Sequence, residues 1–236
     1  MPSFVRIAAF ATGLFALAAG IPGASAPTPH GHSFHGVPYT GTLFSEASGL
    51  GSHFCTASVV ASPAGNLLIT SAHCITNRPP ATVGFAPGYH GSKAPYGTFP
   101  VTAVFTDQAW TASHSVDDDV AILEVGQNVQ QRTGALSLAT GDSPRASTVL
   151  GYPDGTAKPV TCTARATWFT RGHQMKFVCR GYPEGTSGGP WITGGNRVYG
   201  IIGGYQQGGN VPWISYSPYF GSNIRALYNQ VVAQDR

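Results

Sequence analysis

The sequence predicts an all-β protein, and three observations predict it. Glycine (31 residues) and proline (18) are abundant while charged residues make up only 10%, the profile of a turn-rich chain rather than of long solvated helices. Short apolar runs recur along the chain, separated by clusters of Gly, Pro, Asn and Ser, as strands and their turns are. Helical spacing stands out in one place, close to the C-terminal end. A length of 236 residues allows one large domain or two small packed ones, and a hydrophobic content of 42% argues against disorder. Net charge is only +3 with no basic cluster, so no electrostatic footprint for nucleic acid is expected.

Residues 1–26 read as a secretory signal peptide. Arg6 is their only charge, an apolar run spans 7–21, and Ala24-Ser25-Ala26 supplies an A-x-A cleavage pattern. Pro27 in the first mature position hinders cleavage, which leaves a cut after Ala18 as the alternative. The run is short for a membrane span and carries two glycines. The mature protein is therefore expected to be secreted and free of the membrane. Residues 27–35, with His30, His32 and His35, read as a linker or short propeptide in preference to a metal site. Export makes disulfides plausible. Four cysteines allow three pairings. The chain falls into two cysteine-bearing halves, which favours Cys55–Cys74 and Cys162–Cys179. Each loop has under 20 residues, worth about 3 kcal/mol in the chain-entropy model. No C-x-x-C occurs, so no zinc site is expected.

Strand candidates follow in order at 37–44, 54–61 and 67–70, with a turn at 62–66. The run 67–70 leads straight into Ser71-Ala72-His73-Cys74. A histidine at the end of an apolar strand, beside a cysteine, sits on a rigid support. His53, His90 and His114 are its rivals, and each lies in polar or glycine-rich surroundings. Residues 78–98 are rich in Pro and Gly and read as irregular, and 99–105 resumes strand character. Asp117, Asp118 and Asp119 then precede an apolar run at 120–123. Calcium loops space their ligands at alternate positions, so adjacent carboxylates fit poorly. Asp119 abuts the buried run, as the orienting acid of a catalytic triad must. Asp117 and Asp118 read as solvated loop charges.

Residues 127–134 mark the boundary between halves, and the second half repeats the pattern with strands at 148–150, 160–167, 175–179 and 197–202. The C-terminal stretch places apolar residues at 224, 227, 228 and 231 behind Ser222, a helix with a suitable N-cap.

Gly185-Thr186-Ser187-Gly188-Gly189-Pro190 is poor material for a helix or strand and suits a tight turn with outward amides. A nucleophilic serine needs that setting. Alone, the stretch is equally an α/β-hydrolase elbow, a peptidase oxyanion loop or an ordinary glycine turn. Chain order narrows the choice. The last histidine is His173, so none follows Ser187, and the first aspartate is Asp107. The order that fits without strain is His, then Asp, then Ser.

On these residues the chain resembles the chymotrypsin-like serine peptidases. The resemblance rests on Thr70-Ser71-Ala72-His73-Cys74, Asp119-Val120-Ala121-Ile122-Leu123 and the Ser187 loop, and spans roughly 36–235. Gly36-Val37-Pro38 near the start is similar to secreted bacterial members, the group that includes glutamyl endopeptidases. The resemblance implies two antiparallel six-stranded β-barrels, about 36–133 and 134–221, and a C-terminal helix at about 222–233, with the active site between the barrels. It implies a cystine joining Cys55 to Cys74, Ser187 as nucleophile, His73 as base, Asp119 as orienting acid, and the amides of Gly185 and Ser187 as oxyanion hole. Walls of the specificity pocket are then expected from Gly181, Tyr182 and Glu184, and from Ile202, Gly203, Gly204 and Tyr205.

Two departures stand out. Thr186 occupies the position where members activated by cleavage carry Asp. Gly181 stands where trypsin-type specificity needs an acid. The expected function is a secreted, monomeric serine endopeptidase acting on peptides or proteins without cofactor or metal. The alternatives are an inactive binding protein on the same scaffold and a secreted esterase.

Overall fold

The computed structural model describes residues 27–47 and 50–234, so the signal-peptide expectation lies outside the described residues. A two-residue strand, β1 (His32–Ser33), is followed by β2 (Thr40–Phe44), β3 (His53–Val59), β4 (Leu67–Thr70), β5 (Gly84–Pro87), β6 (Phe99–Thr106) and β7 (Ala121–Val125). The last six close a barrel in the order β2-β3-β4-β7-β6-β5. Strands β4 and β7 read as continuous apolar runs because both of their faces are buried. Leu68, Ala121 and Leu123 point into the barrel with Leu43, Phe85 and Phe99. Leu67, Ile69 and Ile122 point the other way, into a second apolar layer.

That second layer joins the halves. The second half contains β8 (Ser137–Leu138), β9 (Ala146–Gly151), β10 (Val160–Arg165), β11 (Thr167–Thr170), β12 (Gln174–Val178), β13 (Pro190–Thr193), β14 (Arg197–Ile201) and β15 (Ile214–Pro218). Leu150, Ile192, Val198 and Ile201 meet the barrel's outer residues there. Each fully buried aliphatic side chain is worth about 1.5–3 kcal/mol, so this layer holds the halves firmly.

The second half corrects the expectation of two barrels. Only the first is closed. The rest forms an open six-stranded sheet, β1-β10-β9-β13-β14-β8, and a separate three-stranded sheet, β11-β12-β15. At one of the two gaps, between β14 and β15, the Ile201 amide donates to the Ser217 side chain (3.0 Å) rather than to a strand carbonyl. Just beyond β14 the Gly203 amide still donates to Tyr216 O (3.0 Å). The Cys162–Cys179 disulfide ties the two sheets at the other gap, between β10 and the end of β12. Within the stretch 27–35, His32 and Ser33 pair with Thr161 and Val160 of β10.

The C-terminal helix, α3 (Ser222–Gln234), follows α1 (Gln108–Ser113) and α2 (Gln130–Thr133). It buries Ile224, Leu227 and Val231, the one-face spacing of an amphipathic helix. Ser222 is its first residue rather than its cap. Helix α1 escaped sequence reading because it is short. Asp107 caps it by accepting from the Ala109 amide at 2.8 Å. Strand β5 lies inside the stretch expected to be irregular, and β13 begins at Pro190, where proline needs no donor.

Two buried tyrosines make long-range bonds to strand carbonyls, Tyr152 across the halves and Tyr182 within the second. The Tyr152 hydroxyl donates to Thr40 O (3.3 Å) and the Tyr182 hydroxyl to Val149 O (2.7 Å). Burial pushes both phenols far above their usual range. A raised folded-state pKa contributes stability that is fully present below the unfolded value and is lost as pH rises past it. Thermal stability is therefore expected to decline once pH exceeds about 10, the ordinary tyrosine pKa. Melting temperatures at stepped alkaline pH, with ultraviolet tyrosinate absorbance read alongside, check this; Tyr152 and Tyr182 should ionise only on unfolding.

Candidate active site

The β4–β7 register explains why His73 and Asp119 meet. Thr70 pairs with Ala121 in this antiparallel ladder. His73, three residues past Thr70, and Asp119, two residues before Ala121, leave the same end of the ladder. His73 sits in a 3-10 turn, Ala72–Cys74, anchored by the Cys55–Cys74 disulfide.

Asp119 is 1% exposed. One carboxylate oxygen accepts from the His73 amide (2.8 Å), and the other from His73 Nδ1 (2.7 Å) and the Gly204 amide (2.7 Å). An ionised carboxylate can only accept, so of the two neutral tautomers this geometry selects the one with the proton on Nδ1 and the lone pair on Nε2. Nε2 has only the disulfide sulfur of Cys74, at 3.8 Å, beside it. Behind this pair Ser71 Oγ donates to Ile202 O at 2.6 Å. A side chain at position 203 would collide there: its Cβ would lie 2.6 Å from Ser71 Oγ and 3.2 Å from Asp119 Oδ2.

Of the neighbouring aspartates, Asp118 is buried and not a solvated loop charge, which corrects the sequence reading, while Asp117 remains partly exposed. Asp118 is 8% exposed and accepts from Ser115 Oγ (2.7 Å) and Asn223 Nδ2 (2.7 Å). Asp117 accepts from His173 Nδ1 (2.7 Å) and Gln174 Nε2 (2.8 Å). Gln174 also receives the Tyr205 amide (3.0 Å). The three carboxylates thus tether the 115–119 segment to three different parts of the molecule.

Glycines shape the Ser187 turn. Gly185 and Gly188 have φ of +88° and +80°, a region other residues enter at a cost. A Cβ on Gly185 would lie 2.4 Å from Asp154 N. The Asp154 amide donates to Glu184 O (2.8 Å) and the Gly189 amide to Thr186 O (2.9 Å). In a trans peptide N–H and C=O point oppositely, so the amides of Gly185 and Ser187 are turned away from these donors. Neither amide has an acceptor within the described residues. Ser187 Oγ is directed at Gln207 O, 3.5 Å away, and no hydrogen bond joins it to His73.

Ser187 and His73 line one cleft of ≈ 620 Å³ together with Tyr182, Glu184 and Ile202. The other expected wall residues lie elsewhere. Gly181 donates to Pro212 O behind the wall, and Gly204 borders an adjacent cavity with Trp110 and His114. Gly203 lines neither cavity. Tyr205 stacks outward on Phe169 and Tyr216, with ring centroids 4.9 and 5.1 Å apart. The far wall is instead the segment 206–212. It is polar and glycine-rich, and nothing in it marked a pocket in the sequence.

The rival histidines have other settings. His53 is buried against Phe44 and Tyr89 and donates from Nε2 to Thr156 O at 2.9 Å. His90 packs on His35, and His114 ends α1 against Trp110. Among the described residues, Cys55, His73 and Cys74 are the one group of three potential metal ligands. The two sulfurs are bonded to each other, so they offer no thiolate to a metal.

Comparisons with known proteins agree with the fold. A family model described as trypsin-like peptidase domain matches residues 52–201. A protease named Anisep from Arthrobacter nicotinovorans has a similar structure (TM-score 0.72, 23% identity, 86% of this chain and 99% of that one). So does a thermostable serine protease, AL20, from an extremophilic microorganism (0.70, 25%, 83% and 97%). An inactivated protease paralogue from the scabies mite shares the fold as well (0.65, 15%, 88% and 100%), so the fold by itself does not establish activity. A curated relative named extracellular metalloprotease, from Bacillus subtilis (strain 168), is 27% identical over 95 residues, 37% of this chain. The match spans 30% of that relative's length.

The roles of the aspartates can be separated. Asp118→Ala is expected to lower stability by about 1–2 kcal/mol, because the half-buried Ser115 and Asn223 donors lose a charged acceptor. Chemical denaturation checks this, with any residual hydrolysis by the folded fraction little changed.

Proposed function

This chain belongs to the trypsin-like peptidase family, and from that premise we propose that it is a secreted serine endopeptidase with Ser187, His73 and Asp119 as its triad. The observation that carries the reading is a conjunction around one cleft: His73 and Ser187 line it, buried Asp119 holds His73 from behind, and the adjoining Gly185 and Ser187 amides have no acceptor among the described residues. No one of these would suffice alone.

The chemistry follows from the roles. Ser187 Oγ attacks the substrate carbonyl carbon while His73 Nε2 takes its proton. Asp119 keeps the imidazole in the tautomer that leaves Nε2 basic and stabilises the imidazolium that forms. Negative charge on the carbonyl oxygen is received by the Gly185 and Ser187 amides. His73 then gives the proton to the leaving amine, and an acyl-enzyme remains. Water attacks the acyl carbon with His73 again as base, releasing the acid and restoring Ser187. For the first step Ser187 Oγ turns from Gln207 O toward His73, a rotation about χ1 between staggered positions. Such bonds commonly tighten only when substrate is bound.

Export is supported by the two disulfides and by the likeness to an extracellular relative. The esterase and inactive-scaffold alternatives make different predictions for one experiment. A serine-directed phosphonate is expected to label Ser187, and Ser187→Ala is expected to abolish casein hydrolysis while leaving the fold intact. Asp119→Asn should lower turnover on the order of 10⁴-fold. Casein cleavage by purified Ser187→Ala at the wild-type rate would remove the serine assignment.

Substrate choice follows from the cleft wall. Tyr182, Ile202, Val211 and Pro212 are uncharged, and its charged members, Glu184 and Arg78, are exposed. A charged substrate side chain in a dry pocket needs a buried counter-charge, and exposed partners contribute little. Uncharged side chains of small to medium size are therefore expected before the scissile bond. Cleavage of a mixed peptide library checks this, and a dominant requirement for Arg, Lys or Glu would overturn it.

A further inference from the structure

The nucleophile turn is held by a residue from the other half of the molecule. Four consecutive carbonyls, from Glu184 to Ser187, each receive a hydrogen bond. Asp154 N and Gly189 N serve Glu184 and Thr186, both from within the second half. The other two are served by one residue of β3, Thr56. Its amide donates to Ser187 O (2.7 Å) and its hydroxyl to Gly185 O (3.2 Å).

Thr56 is fully buried, and its remaining polar atoms are also engaged. Its Oγ1 accepts from the Tyr152 amide (2.8 Å), and its carbonyl accepts from Thr70 Oγ1 (2.8 Å). Thr70 ends β4, and Ser71-Ala72-His73 follows directly. One residue therefore touches the serine turn, the Tyr152 segment and the strand that carries His73. The packing leaves no room for slippage: a Cβ at Gly188 would lie 2.1 Å from Thr56 O and 2.2 Å from Thr70 Oγ1.

We propose that Thr56 is a positioning residue whose hydroxyl holds the Gly185–Thr186 peptide, and through it the Gly185 and Ser187 amides, against the barrel that carries His73. This rests on the reading of Ser187 as nucleophile. The amides receive charge that develops only in the transition state, so misplacing them lowers turnover more than substrate binding. A strand amide alone could hold Ser187 O. The hydroxyl adds the second grip, on Gly185 O, that prevents the peptide between Gly185 and Thr186 from rotating.

Thr56→Val tests this, since valine keeps the shape, the strand preference and the backbone amide while removing the hydroxyl. Against a peptide anilide, kcat is expected to fall about tenfold or more with KM changed less than about threefold, the split that marks a loss confined to the transition state. A peptide boronate should bind about tenfold more weakly, and the cleaved product peptide with unchanged affinity. Thr56→Ser, which restores the hydroxyl, should recover kcat to within about threefold of wild type. Unchanged kcat in folded Thr56→Val would overturn the proposal. So would failure of both Thr56→Val and Thr56→Ala to fold while Thr56→Ser folds, which would assign the residue to stability alone. Ser187→Ala assayed in parallel tells the two readings apart. Lost activity there with unchanged Thr56→Val overturns only the role of Thr56, whereas full activity in Ser187→Ala overturns both.

Discussion

A single buried carboxylate constrains how the two halves dock. Removing an ionised Asp from water is costly unless donors replace the lost hydration. Asp119 obtains two donors from His73, in its own barrel, and one from Gly204, in the second half. The Gly204 amide reaches it because position 203 carries no side chain, in a space already occupied by Ser71 Oγ. Apolar burial between the halves is non-directional and would tolerate some sliding. The hydrogen bonds to Asp119 do not, and neither do the bonds from Thr56 to the serine turn. Adhesion comes from the apolar layer, and register from the polar contacts across it.

Much of this was legible in the sequence, and what was not has physical causes. Strands β4 and β7 could be found because burial on both faces leaves consecutive apolar residues, Leu67 to Ile69 and Ala121 to Leu123. The convergence of His73 and Asp119 then follows from antiparallel pairing. The disulfide pairing read from the two cysteine-bearing halves is the one present. The open second half was illegible, because strand pairing there is set by contacts between residues distant in sequence, such as the Ile201 amide on Ser217 Oγ. The burial of Asp118 and the partners of Asp117 were missed because Asn223, His173 and Gln174 are distant in sequence. The carry-over of pocket walls by position failed at Tyr205, whose ring finds better contacts on Phe169 and Tyr216 than in the cleft.

The wall that replaced Tyr205 is unusual in its backbone. Gln206 and Gln207 are both left-handed, with φ of 52° and 53°, each conformation costing on the order of 1 kcal/mol for a residue with a Cβ. The flanking glycines, Gly204, Gly208 and Gly209, also have positive φ. Short-range bonds from Gln207 N to Gly204 O (2.9 Å) and from Gly209 N to Gln206 O (3.0 Å) hold the turn. Its effect is to present the Gln207 carbonyl to Ser187 and to divide the cleft from the neighbouring cavity, both of which it lines. The wall facing the serine is thus made of oriented backbone more than of charged side chains, in keeping with a chain of low charge.

The residue just before Ser187 bears on how the turn acquires its shape. An acid at this position, once buried, would require a cation, and a newly freed amino terminus is the cation that related peptidases use. Here the position holds Thr186, 2% exposed, and its hydroxyl donates to Pro183 O at 2.7 Å, three residues back. A hydroxyl needs only a nearby acceptor, and the turn supplies its own. The described N-terminal segment is meanwhile engaged at the far edge of the sheet that β13 belongs to, where Gly31 N donates to Arg180 O and His32 pairs with Thr161. The amides of Gly185 and Ser187 therefore reach their orientation through neutral, local hydrogen bonds and through Thr56, with no ion pair to complete. A turn built this way needs no charged partner at position 186 to hold its shape.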